Sequence, residues 1–211
     1  MASPLQVTKE WFQSRVGCLT ASKAKDVLAR SKTNGKPLKC YYDLIDKIVT
    51  ERITGEPIST PTNAAMQWGV DHEDEARGRY QIEAGEIVDL VGFIPHPEIP
   101  FFGASPDGLI GADGLLEIKC PNTLTQIQYV KAGVVPEEYK AQMQVQLLCT
   151  GRKWVDFVSY DPRIKGEYER FQFFLIRYEP TPEELEDTKK KCIQFLGDVD
   201  DELNKLLAIE L

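Results

Sequence analysis

The chain carries only two histidines, His72 and His96, in 211 residues. That scarcity argues against a zinc cluster and against a serine or cysteine triad, since both usually draw on imidazole, so any metal is expected to be oxygen-ligated. The five cysteines (Cys18, Cys40, Cys120, Cys149, Cys192) are odd in number and include no C-x-x-C pair. Neither a disulfide framework nor a zinc ribbon is indicated, and free thiols in a reducing cytoplasm are expected. No segment approaches the roughly 20 apolar residues that span a bilayer. The opening "MASPLQVTKEWFQSR" also lacks the apolar run of a secretory leader, so a soluble, unsecreted protein is expected. Basic residues are outnumbered 25 to 33, a net charge of −8, which at first sight disfavours a phosphate-rich partner. The deficit is local, however. Residues 180–211 hold nine acids against four lysines, a net of −5, leaving −3 for the rest. A near-neutral body can hold a basic groove, so charge leaves nucleic acid open as a partner.

What is present suits one domain with a sizeable core: 42% of residues are hydrophobic and 27% charged. The N-terminal third reads as helical. "TASKAKDVLA" offers Thr20 or Ser22 as N-cap, and "CYYDLIDKIVTERITG" has helical spacing with Gly55 as its stop. Between them the basic loop 30–39, "RSKTNGKPLK", is either a solvated linker or a DNA-contacting loop. A long helix follows in "NAAMQWGVDHEDEARGRYQIEAG". The pattern then turns to β in "EIVDLVGFIPH", "PFFGASPDGLI" and "GLLEIKC", consistent with an antiparallel meander of about three strands. Helical period returns in "PEEYKAQMQVQLLCTG", two strand candidates follow in "KWVDFVSYD" and "YERFQFFLIRY", and an acidic helix closes the chain over about 181–208. The expected fold is α/β (α+β), a mixed central sheet flanked by helices.

Chemistry concentrates in residues 105–121, "SPDGLIGADGLLEIKCP". On a strand, Glu117 and Lys119 share one face and Ile118 takes the other. Asp107 arrives beside them if the turn "GADG" closes a hairpin. Two carboxylates that converge repel each other unless protonated or bridged by a cation, and Mg²⁺ prefers such oxygen ligands. Lys119 would then orient a water, or take its proton if its own pKa is depressed. The same residues also suit an ordinary turn with a solvated Glu-x-Lys face, and spacing alone leaves both readings open.

"PDG" and "EIK", with Asp107 ten positions before Glu117, resemble the signature of the PD-(D/E)xK, restriction-endonuclease-like nucleases. "EWFQSRVGCLTAS", "WGVDHEDEAR", "SPDGLI", "LLEIKCP", "YKAQMQVQLLCTG" and "SYDPR" stand in the order and approximate spacing of the lambda exonuclease and YqaJ-type viral recombinase family. The resemblance runs over about residues 11–163. It implies a nuclease core over about 11–180, with metal held by Asp107, Glu117, the main-chain carbonyl of Ile118, and Glu73. Lys119 would position or activate the attacking water, and Gln142 would hold the substrate. Arg15, Ser22 and Ser105 would form a pocket for a 5′-phosphate. Met66 would wedge the end base pair, or else is a core residue.

The implied activity is a Mg²⁺-dependent 5′→3′ exonuclease on double-stranded DNA, with Mn²⁺ as a substitute, releasing mononucleotides and leaving a 3′ single strand for recombination by annealing. The implied setting is a homotrimeric ring working with a phage-type single-strand annealing protein, in the cytoplasm of a bacterial host and away from membranes. Two alternatives stand beside it: a structure-specific or restriction-type endonuclease, and a non-catalytic DNA-end-binding protein. The intact Asp107, Glu117 and Lys119 count against the second.

Overall fold

The computed structural model describes residue 6 and residues 8–58 and 63–210. Its elements run α1 (Lys9–Gln13), β1 (Leu19–Thr20), α2 (Ala24–Leu28), α3 (Lys39–Thr54), α4 (Ala64–Ala84), β2 (Val88–Asp89), β3 (Ile94–Pro95) and β4 (Phe102–Ala104). They continue as β5 (Gly108–Ile110), β6 (Gly114–Lys119), α5 (Thr123–Ala132), α6 (Glu137–Thr150), β7 (Trp154–Tyr160), β8 (Phe173–Tyr178) and α7 (Pro182–Leu207). The larger sheet has the order β2-β5-β6-β7-β8 and a smaller one β1-β4-β3. β6 and β7 run parallel, while the other neighbours in the large sheet are antiparallel. The α/β class with mixed sheets and flanking helices holds.

Local chemistry sets the helix ends. Asn63 caps α4 by accepting Met66 N, and Thr181 and Glu184 close a reciprocal capping box at the start of α7. α3 and α4 both stop at glycines, Gly55 and Gly85, whose φ of 68° and 67° would strain a side chain.

Alternation along β6 divides the core. Leu116 and Ile118 pack with Ala76 and Tyr80 of α4 on one side, while Leu115 packs with Met143 and Leu147 of α6 on the other. α6 is a buried spine: its opposite face, Ala141, Val145 and Cys149, packs into a helical layer with α2, α3 and α7. Each fully buried Leu, Val or Met side chain among these contributes roughly 1.5–3 kcal/mol.

Several sequence expectations are corrected. "PFFGASPDGLI" is not one strand but β4 and β5, which lie in different sheets. Pro106 lacks an N–H and interrupts the ladder between them. "EIVDLVGFIPH" likewise divides into β2 and β3, and the Phe93 ring between them covers Gly103, where a Cβ would approach it to 2.2 Å. The antiparallel meander is therefore β2-β5-β6. "YERFQFFLIRY" opens with a 3-10 turn over Gly166–Phe171 before β8. Thr20 is extended and its side chain makes no cap bond, because Ala21–Lys23 form a 3-10 turn ahead of α2. α5 was not expected; Asn122 caps it by accepting Thr125 N. No described helix is long and apolar enough to cross a membrane, and the described structure leaves all five cysteines free.

Candidate active-site cleft

The β5–β6 pairing matches Gly108 with Leu116 and Leu109 with Leu115. Continued by one residue, that register sets Asp107 opposite Glu117, on one face. Asp107 N donates to Leu116 O at 3.0 Å, and Asp107 Oδ2 accepts Ile118 N at 2.6 Å. Glu117 is fully buried. Its Oε1 accepts from Lys119 Nζ at 2.5 Å and from Gln142 Nε2 at 2.6 Å, and its Oε2 accepts from Gln146 Nε2 at 2.5 Å. The Ile118 side chain goes to the core behind the sheet, leaving its main chain at the cleft.

α4 lies across this hairpin and supplies Glu73, which Arg77 holds at 2.6 Å. The same guanidinium pairs with Asp74 and donates to the Asp107 carbonyl at 3.4 Å, tying α4 to the turn before β5. Asp74 is an exposed residue of the helix face, whereas Glu75 accepts from Tyr160 OH at 2.6 Å. Lys119 Nζ lies 5.0 Å from the centre of the Tyr139 ring of α6.

Electrostatics follow from burial. Asp107 is raised well above the usual carboxylate range by burial and by the charges of Glu117 and Glu73, with Lys119 and the Ile118 N–H only partly offsetting them. Burial also raises Glu73 against the pull of Arg77. For Lys119, burial alone would lower the ammonium, but Glu117 and Asp107 outweigh it and raise it. The depressed lysine considered from sequence is therefore not found: Lys119 is held as a cation.

No group of three or more His, Cys, Asp or Glu side chains among the described residues is arranged to hold a metal ion; Glu73 is turned to Arg77, and Glu117 to Lys119 and two amides. The donor chemistry fits a hard divalent cation nonetheless. Two carboxylates on adjacent strands repel each other in a buried setting, which is the situation such a cation relieves.

Just beyond α1, the Arg15 guanidinium lies 3.8 Å over the ring of Trp11 from that helix, and Trp11 Nε1 donates to Ser105 Oγ at 3.0 Å. Burial lowers Arg15 to about 10, which leaves it charged near neutrality. Ser22 Oγ stands 3.4 Å from Thr20 Oγ1. Arg15, Ser22 and Ser105 line the same cleft, of about 930 Å³, as Glu73, Asp107, Glu117, Ile118, Lys119 and Gln142. Met66 also lines it and is 49% exposed, so the core reading of that methionine does not hold. Loop 30–39 lies outside the cleft lining and folds on itself, with Ser31 N donating to Lys36 O at 2.8 Å and Arg30 to the carbonyls of Val27 and Ala29.

Sequence reasoning passed over Trp11, Arg77, Tyr139, Gln146 and Arg163. Arg163 lines the cleft and lies 4.3 Å over the Trp68 ring, which also stacks on His72 at 3.7 Å between ring centres. One of these had a local signal: Gln146 stands four after Gln142, one helical turn along α6.

A model of the YqaJ-like viral recombinase domain matches residues 10–153. Two crystal structures of LHK-Exo, an alkaline exonuclease from Laribacter hongkongensis, are similar to the chain at TM-scores of 0.86 and 0.85. Both are 43% identical over 94% of this chain and 96% of theirs, and the first is a complex with dAMP. A phage related exonuclease from Haemophilus somnus 129PT shares the fold at a TM-score of 0.66 and 15% identity, over 90% of this chain and 96% of that one. No curated protein sequence matches significantly. The mixed sheet with flanking helices is the restriction-endonuclease-like fold of these exonuclease structures.

Proposed function

The chain belongs to the YqaJ-like viral recombinase family, and from that premise we propose that it is a Mg²⁺-dependent exonuclease that digests one strand of duplex DNA from its 5′ end. The observation that carries this reading is the single cleft that joins Arg15, Ser22 and Ser105 to Asp107, Glu117 and Lys119. LHK-Exo binds dAMP, a 5′-mononucleotide of the kind such an enzyme releases.

In this reading Asp107, Glu117, the Ile118 carbonyl and Glu73 hold Mg²⁺, or Mn²⁺ in its place. The ion would supply charge neutralisation at the phosphodiester and a more acidic water. Arg15 offers a planar fork to the terminal 5′-phosphate, with Ser22 and Ser105 donating hydroxyls to its oxygens. Trp11 fixes both partners, stacking under the guanidinium and donating to Ser105. An end anchored by its phosphate places the first phosphodiester over the acids, and the new end becomes the next phosphate to bind. Lys119 orients the attacking water and Gln142 holds the substrate beside Glu117. Met66, at the cleft, wedges the terminal base pair.

The same proposal has the chain acting as one domain in a homotrimeric ring around DNA, with a phage-type annealing protein taking over the 3′ strand in a bacterial cytoplasm. The decisive assay uses linear duplexes, with and without a 5′-phosphate, incubated with Mg²⁺. Loss of one strand from its phosphorylated 5′ end, abolished in Asp107→Ala, is expected. Persistence of both strands, or nicking of closed circular DNA at the same rate, would overturn the exonuclease reading.

A further inference from the structure

Two amides of α6 hold Glu117, and only one of them lines the cleft. Gln142 lines the cleft, whereas Gln146, one turn along the helix, is fully buried and does not. Gln146 Nε2 donates to Glu117 Oε2 at 2.5 Å. Its own Oε1 is buried with no hydrogen-bond partner in the described structure. A buried acceptor left unmet is unfavourable, and its neighbours Val145 and Leu147 show that apolar side chains are accommodated on this helix. The amide cannot relieve the orphan by turning over, because Oε1 would then face the carboxylate, acceptor to acceptor. Among the described residues, the side-chain amide therefore serves Glu117 alone.

The other donors to Glu117 have further work. Lys119 and Gln142 both bind Oε1 and both reach the cleft, where water, and DNA in the proposed function, would compete for them. Gln146 is shielded from that competition and binds the opposite oxygen. We propose that Gln146 is a positioning residue for the divalent-cation site: it holds the Glu117 carboxylate in one orientation while Lys119 and Gln142 engage the substrate. The inference rests on the Mg²⁺-dependent reading above. Partners that orient a metal-binding carboxylate typically change metal affinity by about 10- to 100-fold.

The test compares wild-type protein with Gln146→Met, which keeps the length and removes the donor, and Gln146→Asn, which keeps the amide but withdraws its reach. Mn²⁺ affinity is read directly by calorimetry, and the half-saturating Mg²⁺ concentration, kcat and KM for duplex DNA are measured alongside. Circular dichroism and thermal melting select the variants that fold. Expected is Mn²⁺ binding weakened by about tenfold or more, a matching rise in half-saturating Mg²⁺, and an unchanged KM for DNA. A merely structural role would lower the melting temperature and leave metal affinity alone. If the wild type binds Mn²⁺ and cleaves while a folded variant binds Mn²⁺ equally well, this inference alone is overturned. If the wild type neither binds Mn²⁺ nor cleaves, the functional reading fails and takes the inference with it.

Discussion

Asp107 Oδ2 accepts the backbone N–H of Ile118 at 2.6 Å across the hairpin. This bond fixes the Asp107 carboxylate relative to the backbone of the strand that carries the other acid, Glu117, whose own carboxylate is held by Lys119, Gln142 and Gln146. It also means that Asp107 can be replaced without loosening the hairpin, provided an acceptor oxygen remains.

Asp107→Asn keeps that acceptor and removes a charge that Glu117 and Glu73 oppose. Nuclease activity is expected to fall about 100- to 1,000-fold, the scale of losing one preorganised electrostatic group. The metal-free melting temperature should hold or rise. A stability loss matching the activity loss would mean that Asp107 serves the fold.

Arg15→Lys preserves charge but gives up the planar fork and the stack on Trp11. The preference for 5′-phosphorylated over 5′-hydroxyl ends is expected to drop by about tenfold, as for one lost charge-assisted hydrogen bond. The ratio of initial rates on the two substrates measures this. An unchanged ratio would place the phosphate pocket elsewhere.

His96 supplies a pH dependence of stability. Its Nδ1 accepts the N–H groups of Glu98 and Ile99, both at 3.1 Å, a role open only to neutral imidazole. Burial, and then the charge of Lys189, lower it from 6.5, with Glu98 opposing. The unfolded chain therefore takes up a proton near pH 6.5 while the folded chain does not. The contribution is full above that pH and is lost as pH falls below it. Thermal melts across this range should show a shallower acid slope for His96→Gln than for the wild type; parallel slopes would refute the assignment.

Phe195 of α7 is fully buried and meets Tyr41 of α3 edge-on, with ring centres 5.0 Å apart. Phe195→Ala is expected to cost about 3–5 kcal/mol in urea unfolding, with turnover per folded molecule retained. α7 lies beyond the segment matched by the family model, yet it closes the helical layer. A small cost would show that the acidic helix is dispensable to the core.

Much of the site was legible because its parts are local. Asp107 and Glu117 are joined by a short turn, and alternation along β6 assigns Glu117 and Ile118 to opposite faces from spacing alone. α3, α4 and α7 were equally legible, because capping residues and glycines mark their ends. The short strands were less so. Residues 86–110 contain β-type side chains throughout, and propensity does not say where one sheet stops and another begins. α5 was passed over because its ten residues, "TLTQIQYVKA", hold two threonines and no strong apolar stripe.

The sequence by itself determined the acids, the lysine, their order along one hairpin and the family to which they belong. Only the tertiary structure decided what holds them. Trp11 reaches Ser105 across 94 positions of chain, and Gln146 reaches Glu117 across 29. Such contacts depend on how α1 and α6 pack against the sheets, and a periodicity that repeats every two or about 3.6 residues carries no record of that packing. The charge state of Lys119 has the same origin. A lone buried lysine would lose its proton more readily, and it is the approach of Glu117 and Asp107 that reverses this.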